Sequence, residues 1–167
     1  GLRKGAVAIL EVLRKIKNEF NVQFDIIGGI DESFQSLHCA DLQLIDHIYG
    51  VKRSKIVKNM SNYDLMLFPS LCEGMARVVS EAMAAGLPCI ITKETGFTNV
   101  LYDKNSALFV DKNNVKQIYN CLKNVIIEPD MLNMLSKNCQ AASEIWTWHK
   151  YHSSLKAVYE NILETKF

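Results

Sequence analysis

Apolar residues recur along this chain with two periods, and both periods meet in one stretch. From Tyr63 to Thr92 the order reads strand, loop, helix, turn, strand. Asp64 to Phe68 is a short apolar run, which suits a strand buried on both faces of a parallel sheet. Pro69, Ser70 and the small residues after them stop it. From about Met75 a helical pattern begins, with Met75, Val78, Val79, Ala82 and Met83 on one face at i, i+3, i+4 spacing. Gly86 stands where a left-handed cap is wanted, and Pro88 prevents continuation. Cys89 to Thr92 is a second β-rich run. A strand feeding a helix feeding a strand is a right-handed βαβ unit, and it puts loop 69–74 at the carboxyl edge of the sheet. Ligands bind at that edge in open α/β folds.

The flanking sequence repeats this alternation. Ala6 to Glu19 carries Ala6, Ile9, Leu10, Leu13 and Ile16 on one stripe, with Glu11, Arg14, Lys15 and Lys17 facing water. Val22 to Ile27 reads as a strand ended by Gly28-Gly29, where the backbone can pass close to a ligand or a helix. A third glycine at dinucleotide-fingerprint spacing is missing, so an NAD site is weakly supported. A short helix is expected around Ser33 to Cys39 and a small strand around Leu44 to Tyr49. Gly50 turns the chain into Val51, Lys52, Arg53, Ser54 and Lys55, and Ile56, Val57 and Met60 pack the next helix onto the sheet. Lys52, Arg53, Lys55 and Lys58 fit a solvated helix face better than a phosphate clamp.

Asp103, Lys104 and Asn105 form a turn before a last strand, Ala107 to Val110. Thereafter the pattern is helical. Asn113 or Asn114 caps a helix bearing Val115, Ile118, Tyr119, Leu122 and Val125, closed by Pro129. Asp130 caps the next, with Leu132, Met134, Leu135 and Cys139 inward. A final helix over about 149–163 carries Tyr151, Leu155, Val158, Tyr159 and Ile162. The fold class expected is α/β, a Rossmann-like three-layer domain with a parallel sheet.

Composition narrows the picture without changing it. At 167 residues and a net charge of +1 the chain suits one soluble globular domain, and it lacks the basic footprint of a nucleic-acid binder. No apolar run approaches the roughly 18 residues that span a bilayer. Five cysteines, odd in number and scattered, read as reduced cytosolic thiols rather than a disulfide frame or a zinc site. Cys72 adjoins Glu73 but has no nearby histidine in sequence to activate it. Trp146, Trp148, His149 and His152 could suggest a metal box, but at helical spacing they read as core anchors.

The distinctive chemistry sits in the loop after the first central strand. Glu73 lies in the loop, followed by Gly74, and Glu81 lies about two turns into the helix. A helix N-terminus offers unpaired N–H groups and partial positive charge, a seat for phosphate. Gly74 lets backbone approach a ligand closely. A carboxylate accepts two hydrogen bonds at once and so can hold neighbouring hydroxyls of a ribose or hexose. Phosphate site and flanking acceptors together describe a sugar nucleotide.

The run E-G-M-A-R-V-V-S-E-A-M-A-A-G-L-P resembles the E-x7-E signature of retaining glycosyltransferases of family 4, with the GT-B fold. R-K-G at 3–5, F-D-I-I-G-G at 24–29 and Trp146 to Leu163 are similar to further family segments. The resemblance implies that Glu73 contacts the transferred sugar and that Lys4 reaches the diphosphate. It also implies that Gly74 and the backbone of Met75, Ala76, Arg77 and Val78 hold sugar and diphosphate, and that Glu81 binds the ribose. Gly29 is then an expected donor contact, and, because relatives hold the nucleobase with the backbone near this turn, Tyr49, Gly50 and Val51 are the expected base contacts. The chain departs from the family after Thr92, where a Gly-Gly pair and a glutamate are usual and Gly96, Phe97 and Asn99 stand instead.

Residues 1–167 would form one donor-binding domain, with the family's first strand and its N-terminal acceptor domain absent. The implied partners are a nucleotide-diphosphate sugar donor and a saccharide or lipid-linked acceptor. The implied setting is cytoplasmic, with peripheral association at the inner membrane face an option for the full enzyme. No metal and no cofactor beyond the donor are expected, because Lys4 and the helix tip can carry the leaving charge. The competing readings are a non-catalytic nucleotide-binding or regulatory module and a sugar-nucleotide epimerase, the latter needing an acid and base set not evident here.

Overall fold

The computed structural model describes residues 2–50, 53–97 and 105–164. Among these the strands are β1 (Asp25–Ile27), β2 (His47–Tyr49), β3 (Met66–Phe68), β4 (Cys89–Thr92) and β5 (Ala107–Val110). The helices are α1 (Ala6–Glu19), α2 (Glu32–Leu37), α3 (Cys39–Leu42), α4 (Arg53–Asn59), α5 (Arg77–Ala84), α6 (Val115–Ile127), α7 (Pro129–Ile145) and α8 (Trp148–Glu164). Every strand pair is parallel: β1 with β2, and β3, β4 and β5 in that order. The expected α/β, Rossmann-like class is what the chain adopts.

β4 shows why the architecture has three layers. All four of its residues are buried, and period-2 geometry sends alternate side chains to opposite faces. Cys89 and Ile91 meet Val79, Ala82 and Met83 of α5 and Ala142 of α7. Ile90 meets Ala8, Val12 and Ile16 of α1 and Ile118 of α6 on the other side. Burying Ile90 or Ile91 stabilises the fold by roughly 1.5–3 kcal/mol each.

α1 also joins the two sheets. Leu10 and Leu13 pack with Phe34 and Ile45 beside Phe24 and Ile26, which cover the β1–β2 pair. At the amino edge the Tyr63 hydroxyl donates to the Asp25 carboxylate at 3.0 Å, a second tie between the sheets.

Several expectations are corrected. β1 and β3 are shorter than predicted, beginning at Asp25 and Met66. Residues 2–4 form a 3-10 turn rather than a loop. Glu128, not Asp130, stands at the N-cap of α7; Pro129 takes the first helical position, so Asp130 falls within the first turn. Val57 and Met134 are exposed rather than inward.

The largest correction is α8. Its Trp148, Tyr151, Leu155, Val158, Tyr159 and Ile162 are all exposed, so they do not anchor this domain's core. Periodicity reports that a helix has an apolar face, not what that face meets. Trp146, just before α8, is exposed as well, although its ring stands edge-on to buried Phe97 at 5.9 Å between ring centroids. Asp103, Lys104, Asn99, Val51 and Lys52 lie outside the described residues.

Candidate functional site

The site forms where β3 ends. Pro69 and Ser70 are buried immediately after the strand, and the segment before α1 is pressed against them. Gly5, the N-cap of α1, has φ +73°, and a Cβ there would lie 2.2 Å from the Pro69 carbonyl oxygen. Only glycine fits both the left-handed backbone and that approach. The Leu71 N–H donates to the Arg3 carbonyl at 2.8 Å, which fixes the two segments side by side.

This docking carries Lys4 to Glu73, across 69 positions of sequence. The Lys4 ammonium donates directly to Glu73 Oε1, and its Nζ also stands 4.8 Å from the centroid of the Phe68 ring. The Ser70 hydroxyl donates to the same carboxylate oxygen at 2.9 Å. Partial burial alone would raise the Glu73 carboxyl. The hydrogen bonds from Lys4 and Ser70, with the Lys4 and Arg3 charges, outweigh it and hold the group below its ordinary range. Glu73 is therefore a carboxylate at neutral pH. It is only about a tenth exposed, whereas Lys4 is about two-fifths exposed.

A second loop clamps the first. The Glu73 N–H donates to the Glu94 carbonyl and the Ala76 N–H to the Thr95 carbonyl, each at 3.0 Å. Gly96, with φ +81°, approaches so closely that a Cβ would sit 2.4 Å from the Gly74 carbonyl oxygen. This clamp explains why α5 starts at Arg77 rather than Met75. Ala76 is held extended by its bond to Thr95 and becomes the N-cap, with no side-chain capping bond. Met75 is left ahead of the helix and half-exposed instead of joining the apolar face.

The other predicted residues distribute as follows. Gly74 is exposed, and a Cβ there would meet nothing within 4 Å. Arg77 opens α5 and is exposed; Val78 is half-buried. Glu81 is the fifth residue of α5, half-buried beside the inward Ala82 and engaged with a partner of its own. Gly29 follows β1, Tyr49 closes β2 and Gly50 follows it; space is open around both glycines. Contact at the centre is thus made by Lys4 and Glu73.

The model for the family described as "Glycosyl transferases group 1" matches residues 1–142. The chain belongs to that family. Among curated relatives of this glycosyl transferases group 1 chain is the Escherichia coli UDP-Gal:alpha-D-GlcNAc-diphosphoundecaprenol alpha-1,3-galactosyltransferase. It is 31% identical over 88 residues, covering 53% of this chain and 22% of the relative. Two solved structures share the fold. Sucrose-phosphate synthase from Thermosynechococcus elongatus has a TM-score of 0.82 at 18% identity, over 99% of this chain and 44% of that one. WaaG, a glycosyltransferase involved in lipopolysaccharide biosynthesis, has 0.73 at 21%, over 85% and 40%. The chain spans less than half the length of the curated relatives it matches.

Sequence reasoning missed the residues that build this candidate site from behind. Gly5, Ser70, Thr92, Thr95 and Gly96 touch Lys4's or Glu73's loop by backbone or hydroxyl. The available signals were a glycine directly before an amphipathic helix, and hydroxyl residues at the ends of two otherwise apolar strands.

Proposed function

We propose that this chain is the donor-binding half of a family 4 retaining glycosyltransferase, which moves a hexose from a nucleotide-diphosphate sugar to a saccharide or lipid-linked acceptor. The observation that carries this reading is the Lys4–Glu73 ion pair at the carboxyl edge of β3, beside the first turn of α5, whose N-cap makes no side-chain bond. A leaving diphosphate needs positive charge and N–H donors, and Lys4 with the start of α5 supplies both. These can do the work of a divalent cation, so the reaction is expected to need no metal. The name of the Escherichia coli relative, which pairs UDP-galactose with a lipid-linked saccharide, supports this substrate class.

In this mechanism Glu73 orients the sugar through its hydroxyls rather than attacking it. The bond from the anomeric carbon to the diphosphate oxygen breaks, and its electron pair stays on the diphosphate beside Lys4. The acceptor hydroxyl bonds to the same face of the anomeric carbon, and its proton passes to the leaving oxygen, so configuration is retained. Open space at Gly74 admits the diphosphate sugar, with the backbone of Met75, Ala76, Arg77 and Val78 beneath it. Glu81 takes the ribose hydroxyls, while the backbone at Gly29, Tyr49 and Gly50 borders the base. The acceptor site lies mainly on another domain of the full enzyme, which works at the cytoplasmic face of the membrane where its acceptor is lipid-linked.

Calorimetric titration of wild type and Glu81→Ala with uridine, guanosine and adenosine diphosphate sugars tests the assignment. Loss of a bidentate charged contact should weaken the preferred donor about tenfold or more. Unchanged affinity removes Glu81 from the ribose, and no binding of any donor at millimolar concentration removes the function.

A further inference from the structure

We propose that Ser70 is a positioning residue of the donor site, setting the Glu73 carboxylate and the Lys4 segment in register for the transferred sugar. The inference rests on the donor-site reading above and assigns a role to a residue outside the E-x7-E signature.

Ser70 is fully buried, and its Oγ lies 2.9 Å from Glu73 Oε1 and 3.1 Å from the Arg3 carbonyl oxygen. A serine hydroxyl has one hydrogen and can serve one acceptor at a time. The Arg3 carbonyl already receives the Leu71 N–H at 2.8 Å. A bond to a carboxylate is also stronger than a bond to a neutral carbonyl. The hydrogen therefore goes to Glu73, and Oγ rests against the backbone that carries Lys4. One buried atom thus gauges the spacing of both charged groups.

Ser70 is in turn fixed from behind. Its own carbonyl accepts the Thr92 hydroxyl at 2.5 Å, and the Thr92 carbonyl accepts the Thr95 hydroxyl at 2.9 Å. Both threonines are fully buried. Thr95 is also the residue whose carbonyl holds the Ala76 N–H and so sets where α5 begins. Three hydroxyls stand in line where alanine or valine would fill space without a polar group to satisfy. Through them, the start of α5, Glu73 and Lys4 share one framework. That is the arrangement a site needs when sugar and diphosphate must be held at a fixed separation.

The test is the affinity added by the sugar. In the full-length protein, binding of uridine, guanosine and adenosine diphosphates is measured with and without an attached hexose, and the tightest wild-type pair is carried forward. Ser70→Ala should leave the nucleoside diphosphate within about twofold of wild type. It should lower the extra affinity conferred by the hexose by about ten- to hundredfold, the range for a lost bond to a charged group. Ser70→Thr, which keeps the hydroxyl, should restore most of it. Where Ser70→Ala does not fold, Ser70→Cys, close in volume but a weak donor, carries the same expectation.

A hexose increment unchanged in the variant overturns the proposal. So does equal loss for both ligands with no rescue by threonine, because that marks a residue needed only for folding. A wild-type protein that gains nothing from any hexose overturns the donor-site reading itself, and this proposal with it.

Discussion

The loops that follow the two sheets are built on opposite plans. Behind β3 and β4 the backbone is packed to contact: Gly5 and Gly96 each sit where a Cβ would overlap a carbonyl oxygen, at 2.2 and 2.4 Å. Hydroxyls from Ser70, Thr92 and Thr95 fill the remaining space. Beside β1 and β2 the glycines at 28, 29 and 50 have nothing within 4 Å of a Cβ. The first plan fixes the Lys4–Glu73 pair, and the second leaves an open edge, which on the proposed reading receives the base. Within one domain, rigidity and access are allotted to different sheets.

Gly96→Ala should be the most disruptive single test of that contrast. Its φ of +81° and the Gly74 carbonyl together predict a loss of about 2–3 kcal/mol. For a domain of this size that lowers the melting temperature by about 4–10 °C. A melting temperature within 2 °C of wild type would show that the loop yields easily and is not a rigid frame.

A smaller effect is expected from acid. Glu73 is held below its ordinary value of 4.5 in the folded state, so its ionised form stabilises the fold at higher pH. That contribution is fully present above the unfolded value and fades as pH falls through the folded one. The stability gap between wild type and Glu73→Gln, followed by urea midpoints, should therefore narrow below about pH 4.5. A gap that is constant down to pH 3 would mean that the carboxylate gains nothing from Lys4 and Ser70.

The smallest change belongs to the open edge. Gly29→Ala meets no neighbour and has no positive φ to lose, so its stability should stay within about 0.5 kcal/mol of wild type. Equal damage at positions 29 and 96 would erase the distinction between the sheets.

The central unit was legible because its signals are local. Cys89 to Thr92 lies between Pro88 and a charged lysine, and β4 occupies those residues. Gly86 takes φ +69° as the C-terminal stop of α5 required. The family resemblance points to Lys4 and Glu73, and the fold brings the two side chains into contact. What could not be read were features set by partners distant in sequence. The start of α5 is decided by the Thr95 carbonyl, so a pattern beginning at Met75 ran two residues early. Ser70 does follow the end of the strand as expected, but its approach to the Arg3 carbonyl, 67 positions away, exists only after folding. The apolar stripe of α8 was visible, but nothing in its spacing said that this domain would leave it exposed.

In the resting protein the Lys4 ammonium already has its counter-ion. An anion drawn to Lys4 alone would compete with Glu73 for the ammonium, while the Ser70 hydroxyl keeps its bond to the same carboxylate oxygen. On the donor-site reading proposed above, a sugar nucleotide would offset that competition, its hydroxyls giving Glu73 new partners while its phosphates share the cation. On the same reading, the carboxylate beside the cation disfavours anions that carry the charge without the carbohydrate.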